Sequence, residues 1–111
     1  MSNPHVDLET LETLKEVMED DFQLLIETFV ADASGRIAKM QQQFADLGPE
    51  DIRKEAHSLK GSSSNIGAPK LSELCFILEE KGRRGDVSDA LADLEAIVAE
   101  FDSVKNILET L

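Results

Sequence analysis

The chain has 111 residues and 12.2 kDa, with 11 Lys plus Arg against 23 Asp plus Glu, a formal charge of −12. That excess of carboxylates excludes non-specific nucleic-acid binding, which needs cations to neutralise phosphates, and docking on an anionic membrane. Hydrophobic residues make up 41%, too many for a disordered acidic tail, and the length sets one domain over residues 1–111.

All the aromatic residues are Phe, so nothing here resembles a Trp or Tyr platform for stacking bases. Cys75 is the single cysteine. Alone it forms neither an internal disulfide nor a Cys-rich zinc site, and it suits a reducing, cytoplasmic setting. The first residues lack the basic start and apolar run of a signal peptide. No stretch approaches the ~20 apolar residues of a membrane span. Neither GxGxxG nor GxxxxGK[ST] occurs, so no ATP site is expected.

The apolar residues recur with a helical period. Asp7 is placed to cap a short first helix carrying Leu8, Leu11, Leu14 and Met18. A long second helix starts at Asp20 or Asp21, with Phe22, Leu25, Ile26, Phe29, Ala33, Ile37, Met40 and Phe44 as its buried stripe. Gly48 is placed to cap its C-terminus, and Pro49 to open the third helix. That helix carries Ile52, Ala56, Leu59, Ser63 and Ile66 on one line and stops at Gly67. Pro69 opens a fourth helix with Leu71, Leu74, Cys75 and Leu78 inward, and the run Lys81–Gly85 reads as a loop. The last helix begins near Asp86 or Ser88 and turns Leu91, Leu94, Val98, Phe101, Val104 (or Lys105) and Leu108 inward. The fold expected is all-α: an antiparallel up-down four-helix bundle, with the short N-terminal helix closing one end.

The third helix carries something a core does not need. At 100° per residue His57 falls about 140° from the centre of the apolar stripe, on the exposed side. Arg53 falls at about 100°, Ser64 at about 120°, Gly61 at about 180°, Lys54 at about 200° and Lys60 at about 80°. Three basic residues thus ring one histidine on a protein of charge −12. Gly61 costs its helix about 1 kcal/mol relative to alanine. One turn above His57, it clears the approach for another protein's backbone.

Histidine in its neutral form is a nucleophile through one ring nitrogen. Phosphoryl transfer asks for in-line positioning and cationic stabilisation of the equatorial oxygens. Lys60, one turn from His57, is within reach of a group on the ring. The competing readings are blander. A basic helix face is by default merely solvated. His57 has no second ligand at metal-binding spacing. Ser62–Ser64 lack the acid and base of a serine nucleophile. His5 lies in a terminus expected to fray, and Cys75 sits on the apolar line.

The run Ala56-His57-Ser58-Leu59-Lys60-Gly61, closing at Gly67 and followed by Leu71, Cys75 and Leu78-Glu79, resembles the histidine-containing phosphotransfer (HPt) domain of stand-alone bacterial type. Asp21-Phe22, Phe29 and Asp32 resemble that family's second helix. The resemblance implies a phosphorelay intermediate. His57 accepts a phosphoryl group from the aspartate of a receiver domain, often on a hybrid sensor kinase, and passes it to a response-regulator receiver. It implies no kinase activity and no cofactor, the partner receiver supplying Mg²⁺. Lys60 would steady the phosphoryl group, Gly61 give access and Glu79 orient the imidazole. Arg53, Lys54, Ser58, Ser64 and the outward Leu24 are candidate partner contacts, Leu24 being equally placed to pack under the first helix. A monomer is expected. The alternative is a helical adaptor that binds receiver or kinase partners without carrying phosphate.

Overall fold

The computed structural model describes residues 3–111. Helix α1 spans Leu8–Met18, α2 Phe22–Gln43, α3 Pro49–Asn65, α4 Pro69–Arg84 and α5 Ala90–Glu109, with 3₁₀ turns at Glu19–Asp21 and Phe44–Asp46. Helices α2 to α5 form the expected bundle. The Asp7 carboxylate accepts the Glu9 and Thr10 N–H groups, so the predicted cap starts α1. Gly67 ends α3 at φ +82°, a left-handed conformation that L side chains resist. Its carbonyl accepts the Asp7 N–H at 2.7 Å, which seats α1 across the α3–α4 connection and closes that end of the bundle.

The core follows the predicted stripes closely. Phe22, Ile26, Phe29, Ala33, Ile37 and Met40 of α2 are buried, with Leu25 and Phe44 half-buried at its margin. The Phe29 and Phe101 rings meet at 6.2 Å, joining α2 to α5. Leu59, Leu71, Cys75 and Leu78 fill the seam between α3 and α4. Burial, and then the nearby Glu79 charge, push the Cys75 thiol up to about 12, so it is a core residue and no nucleophile at neutral pH.

Four expectations are corrected. Gly48 does not end α2. Its backbone is extended (φ −80°, ψ 169°), it caps the start of α3, and its N–H donates to the Asp51 carboxylate. Residues 81–84 are not a loop but the last turn of α4, which stops at Gly85 in the left-handed conformation. Gly82 lies buried against the first turn of α3, and that packing carries the helix through the first of the two glycines. Helix α5 starts later than expected, at Ala90, because the Asp86 carboxylate accepts the Ser88 N–H and hydroxyl and holds a turn there. Leu91 is 52% exposed; the inward line is Ala90, Leu94, Ile97, Phe101, Val104 and Leu108.

Ser63 is fully buried in α3 and its hydroxyl has no hydrogen-bond partner among the described residues. A buried, unpaired hydroxyl costs roughly 1–3 kcal/mol. Ser63→Ala is therefore expected to raise stability by about 1 kcal/mol, read as a higher urea midpoint. A lower midpoint would show that the hydroxyl is bonded in solution.

Candidate functional site

Helices α3 and α4 pack side by side, and their outer edges meet around His57. The His57 side chain is 61% exposed, and Nδ1 lies 2.7 Å from Glu79 Oε2. Glu79, on α4, is 1% exposed and sits directly beneath the imidazole. Lys60 Nζ lies 2.6 Å from the other carboxylate oxygen. Arg83, one turn further along α4, reaches Glu79 Oε2 at 3.4 Å and Glu80 Oε1 at 3.2 Å. One buried carboxylate thus gathers three basic side chains.

Burial alone would push the Glu79 carboxyl up, but the Lys60 ammonium paired with it and the His57 hydrogen bond outweigh that and hold the group below the ordinary carboxylate range. Glu79 is therefore ionised at neutral pH and only accepts. This assigns the proton of a neutral His57 ring to Nδ1 and leaves the Nε2 lone pair facing solvent. The ring is held in orientation and tautomer from behind by a buried carboxylate.

Gly61 lies one turn above. Among the described residues, a Cβ built there meets nothing within 4 Å beyond the backbone of its own helix, so packing does not require a glycine. Gly61→Glu is expected to stabilise α3 by several tenths of a kcal/mol while obstructing any protein that approaches His57. Thermal unfolding and phosphotransfer assays, measured side by side, should move in opposite directions. A variant that transfers normally would show that the open space is not used.

The other predicted residues are spread more loosely. Arg53 makes two hydrogen bonds to Glu50, at 2.6 and 2.9 Å, so its guanidinium is already paired within α3. Lys54 is exposed and Ser58 half-buried. Ser64 Oγ shares a 2.6 Å hydrogen bond with Ser72, so it ties α3 to α4 rather than standing free. Leu24 is 61% exposed and does not pack under α1. His5 is not frayed: its Nδ1 lies 2.8 Å from Oε2 of the buried Glu100, which holds the N-terminal segment on α5.

Sequence reasoning missed Arg83, Ser72 and Phe76. Ser72, Phe76, Glu79 and Arg83 share one face of α4 at helical spacing, a signal present in the sequence. The presumed loop at 81–85 hid its last member, and no short motif marks the first two. Among the described residues no cluster of His, Cys, Asp or Glu gathers as metal ligands, and no helix is long and apolar enough to cross a membrane.

A solvent-facing imidazole on a helical bundle, with a buried carboxylate behind it and an ammonium beside it, defines a class of protein suited to carrying a phosphoryl group on histidine. The chain belongs to the Hpt domain family, whose profile matches residues 24–107, and it functions in phosphorelay phosphotransfer. It is similar to the crystal structure of histidine-containing phosphotransfer protein B from Pseudomonas aeruginosa PAO1. The two are 38% identical with a TM-score of 0.94, covering 98% of this chain and 95% of that one. It is 31% identical to histidine-containing phosphotransfer protein 1 of Arabidopsis thaliana over 106 residues, 91% of this chain and 68% of that protein. The fold is shared with Saccharomyces cerevisiae Ypd1, solved with the receiver domain of its response regulator Ssk1, at 19% identity and a TM-score of 0.68, covering 94% and 88% of the two chains.

Proposed function

We propose that His57 is the phosphoacceptor of this carrier. The loading partner is a receiver-domain aspartyl phosphate of a hybrid sensor kinase, and the unloading partner is a response-regulator receiver. The observation that carries the assignment is the exposed His57 ring, held through Nδ1 at 2.7 Å by the buried Glu79 with Lys60 on the same carboxylate.

The chemistry balances on these groups. The Nε2 lone pair attacks phosphorus, an N–P bond forms, the P–O bond to the aspartate breaks, and the aspartate leaves as carboxylate. The ring then carries the positive charge, shared with its Nδ1–H, and the ionised Glu79 stabilises it. Lys60 swings to the phosphoryl oxygens. The reverse sequence unloads the group onto the next aspartate. Mg²⁺ belongs to the receiver in this scheme, and the chain contributes position and charge without kinase activity of its own. A monomer in the cytoplasm fits the role.

The test is transfer of label from a pre-phosphorylated receiver to the wild type and to His57→Gln. Acid-labile, base-stable label on the wild type alone is the expected result. Because the side chain faces water, the variant should keep the wild-type melting temperature. Equal label on both would move the acceptor elsewhere. No label on either, from a panel of receivers, would favour the adaptor.

A further inference from the structure

The Lys60 side chain is addressed by more of α4 than its partner Glu79. Ser72 Oγ donates to the Lys60 backbone carbonyl at 3.3 Å. The Lys60 ammonium lies over the Phe76 ring, 5.4 Å from its centroid. Glu79 holds the same ammonium at 2.6 Å. These residues stand at i, i+4 and i+7 of one helix, so a single stripe of α4 reads one lysine from backbone to tip. Phe76 is 47% exposed and stands outside the core. Burial therefore does not explain an aromatic ring here.

The geometry points to Phe76 as a positioning residue for phosphoryl transfer, its ring face keeping the Lys60 ammonium beside His57. The inference rests on the reading that Lys60 neutralises the phosphoryl oxygens. To do so the ammonium must leave Glu79 and swing outward. A ring face attracts a cation from within ~6 Å and offers no localised charge to compete with phosphate. A second carboxylate at this place would hold the lysine back. An aliphatic side chain would leave it to solvent. Phe76 lies between these extremes and keeps the ammonium close through the whole movement.

An exposed cation–π contact corresponds to about two- to fivefold in rate. The experiment uses the full chain and phosphoramidate, a small donor that brings no docking surface. It gives its phosphoryl group to Nε2 and leaves as ammonia, and phosphohistidine formation is followed by ³¹P NMR. Phe76→Leu should slow labelling two- to fivefold, and Phe76→Tyr, which keeps the ring, should restore the wild-type rate. Lys60→Ala should be slower than wild type, and adding Phe76→Leu to it should cost nothing more, because the ring acts through the lysine. The Lys60 methylene protons should be shifted by the ring current in the wild type and Phe76→Tyr and lose that shift in Phe76→Leu. A wild-type rate in Phe76→Leu, equal slowing by leucine and tyrosine, or additive losses with Lys60→Ala would overturn the role of Phe76. A wild-type rate in Lys60→Ala would overturn the lysine's role and Phe76's with it.

Discussion

Replacing Glu79 with alanine is expected to slow phosphoryl transfer by about 10- to 100-fold, by analogy with the loss of a carboxylate that orients a metal-bound histidine from behind. Three functions disappear together. The ring loses the acceptor that fixes its proton on Nδ1, the positive charge formed on the ring loses its counter-charge, and Lys60 loses its resting place. Glu79→Gln keeps an oxygen for the Nδ1–H and should fall less. Because His57 and Lys60 both reach solvent, they are rehydrated in Glu79→Ala, and stability should drop by only about 1 kcal/mol. Single-turnover transfer from a labelled receiver measures the first effect and urea unfolding the second. A rate within twofold of wild type would remove Glu79 from the mechanism.

The same residue predicts a pH dependence. Its carboxyl titrates lower in the folded chain than in the unfolded one. The stability it contributes is therefore complete above the ordinary glutamate range and is lost as pH falls through the lowered folded value. Nothing is lost between pH 6 and 8 on this account. Glu79→Gln should flatten the acid limb of the stability curve and leave the neutral region unchanged.

Gly82→Ala is expected to lower stability by about 1–3 kcal/mol, against the gain of about 1 kcal/mol that alanine gives a helix elsewhere. A Cβ at residue 82 would lie 2.7 Å from the Pro49 carbonyl oxygen, 2.9 Å from Arg53 N and 3.1 Å from Arg53 Cα. All three are backbone atoms, so no side chain can turn aside; α4 must move away from α3. In a domain of this size the melting temperature should fall by roughly 4–8 °C per kcal/mol. Gly82 follows Glu79 by three residues, and Arg53 precedes His57 by four. Widening the seam therefore also draws Glu79 away from the imidazole, and transfer should slow along with the loss of stability. An unchanged melting temperature would show that the helices do not approach so closely in solution.

Local patterns carried most of this molecule. The Asp7 cap, the prolines opening α3 and α4, and the Gly67 stop are interactions within a few residues of each other, and the sequence displays them directly. His57 was legible for a related reason: its angle on α3 conflicts with the apolar stripe, and Gly61 spends helix stability with no local return. Glu79 was placed only through resemblance, because its pairing with His57 crosses 22 residues. What was hidden depended on neighbours far along the chain. Gly82 and Gly85 look alike as helix stops; packing against Pro49 and Arg53 decides between them. Phe76 looks like any apolar residue of α4 until the Lys60 ammonium is set over its ring. The anchoring of His5 needs Glu100, 95 residues away.

His57 stands on the convex side of a helix with its free nitrogen facing outward. A convex site cannot enclose a reactant, so the concave half of the reaction chamber must come from the partner. Donor and acceptor then compete for one patch of surface around one atom, and no ternary complex can form. On the proposed role of His57, the relay runs by a ping-pong scheme, with dissociation of the first receiver before the second arrives. Excess unphosphorylated acceptor should inhibit loading competitively. The flux it carries is then set by the ratio of its two partners as much as by the affinity of either.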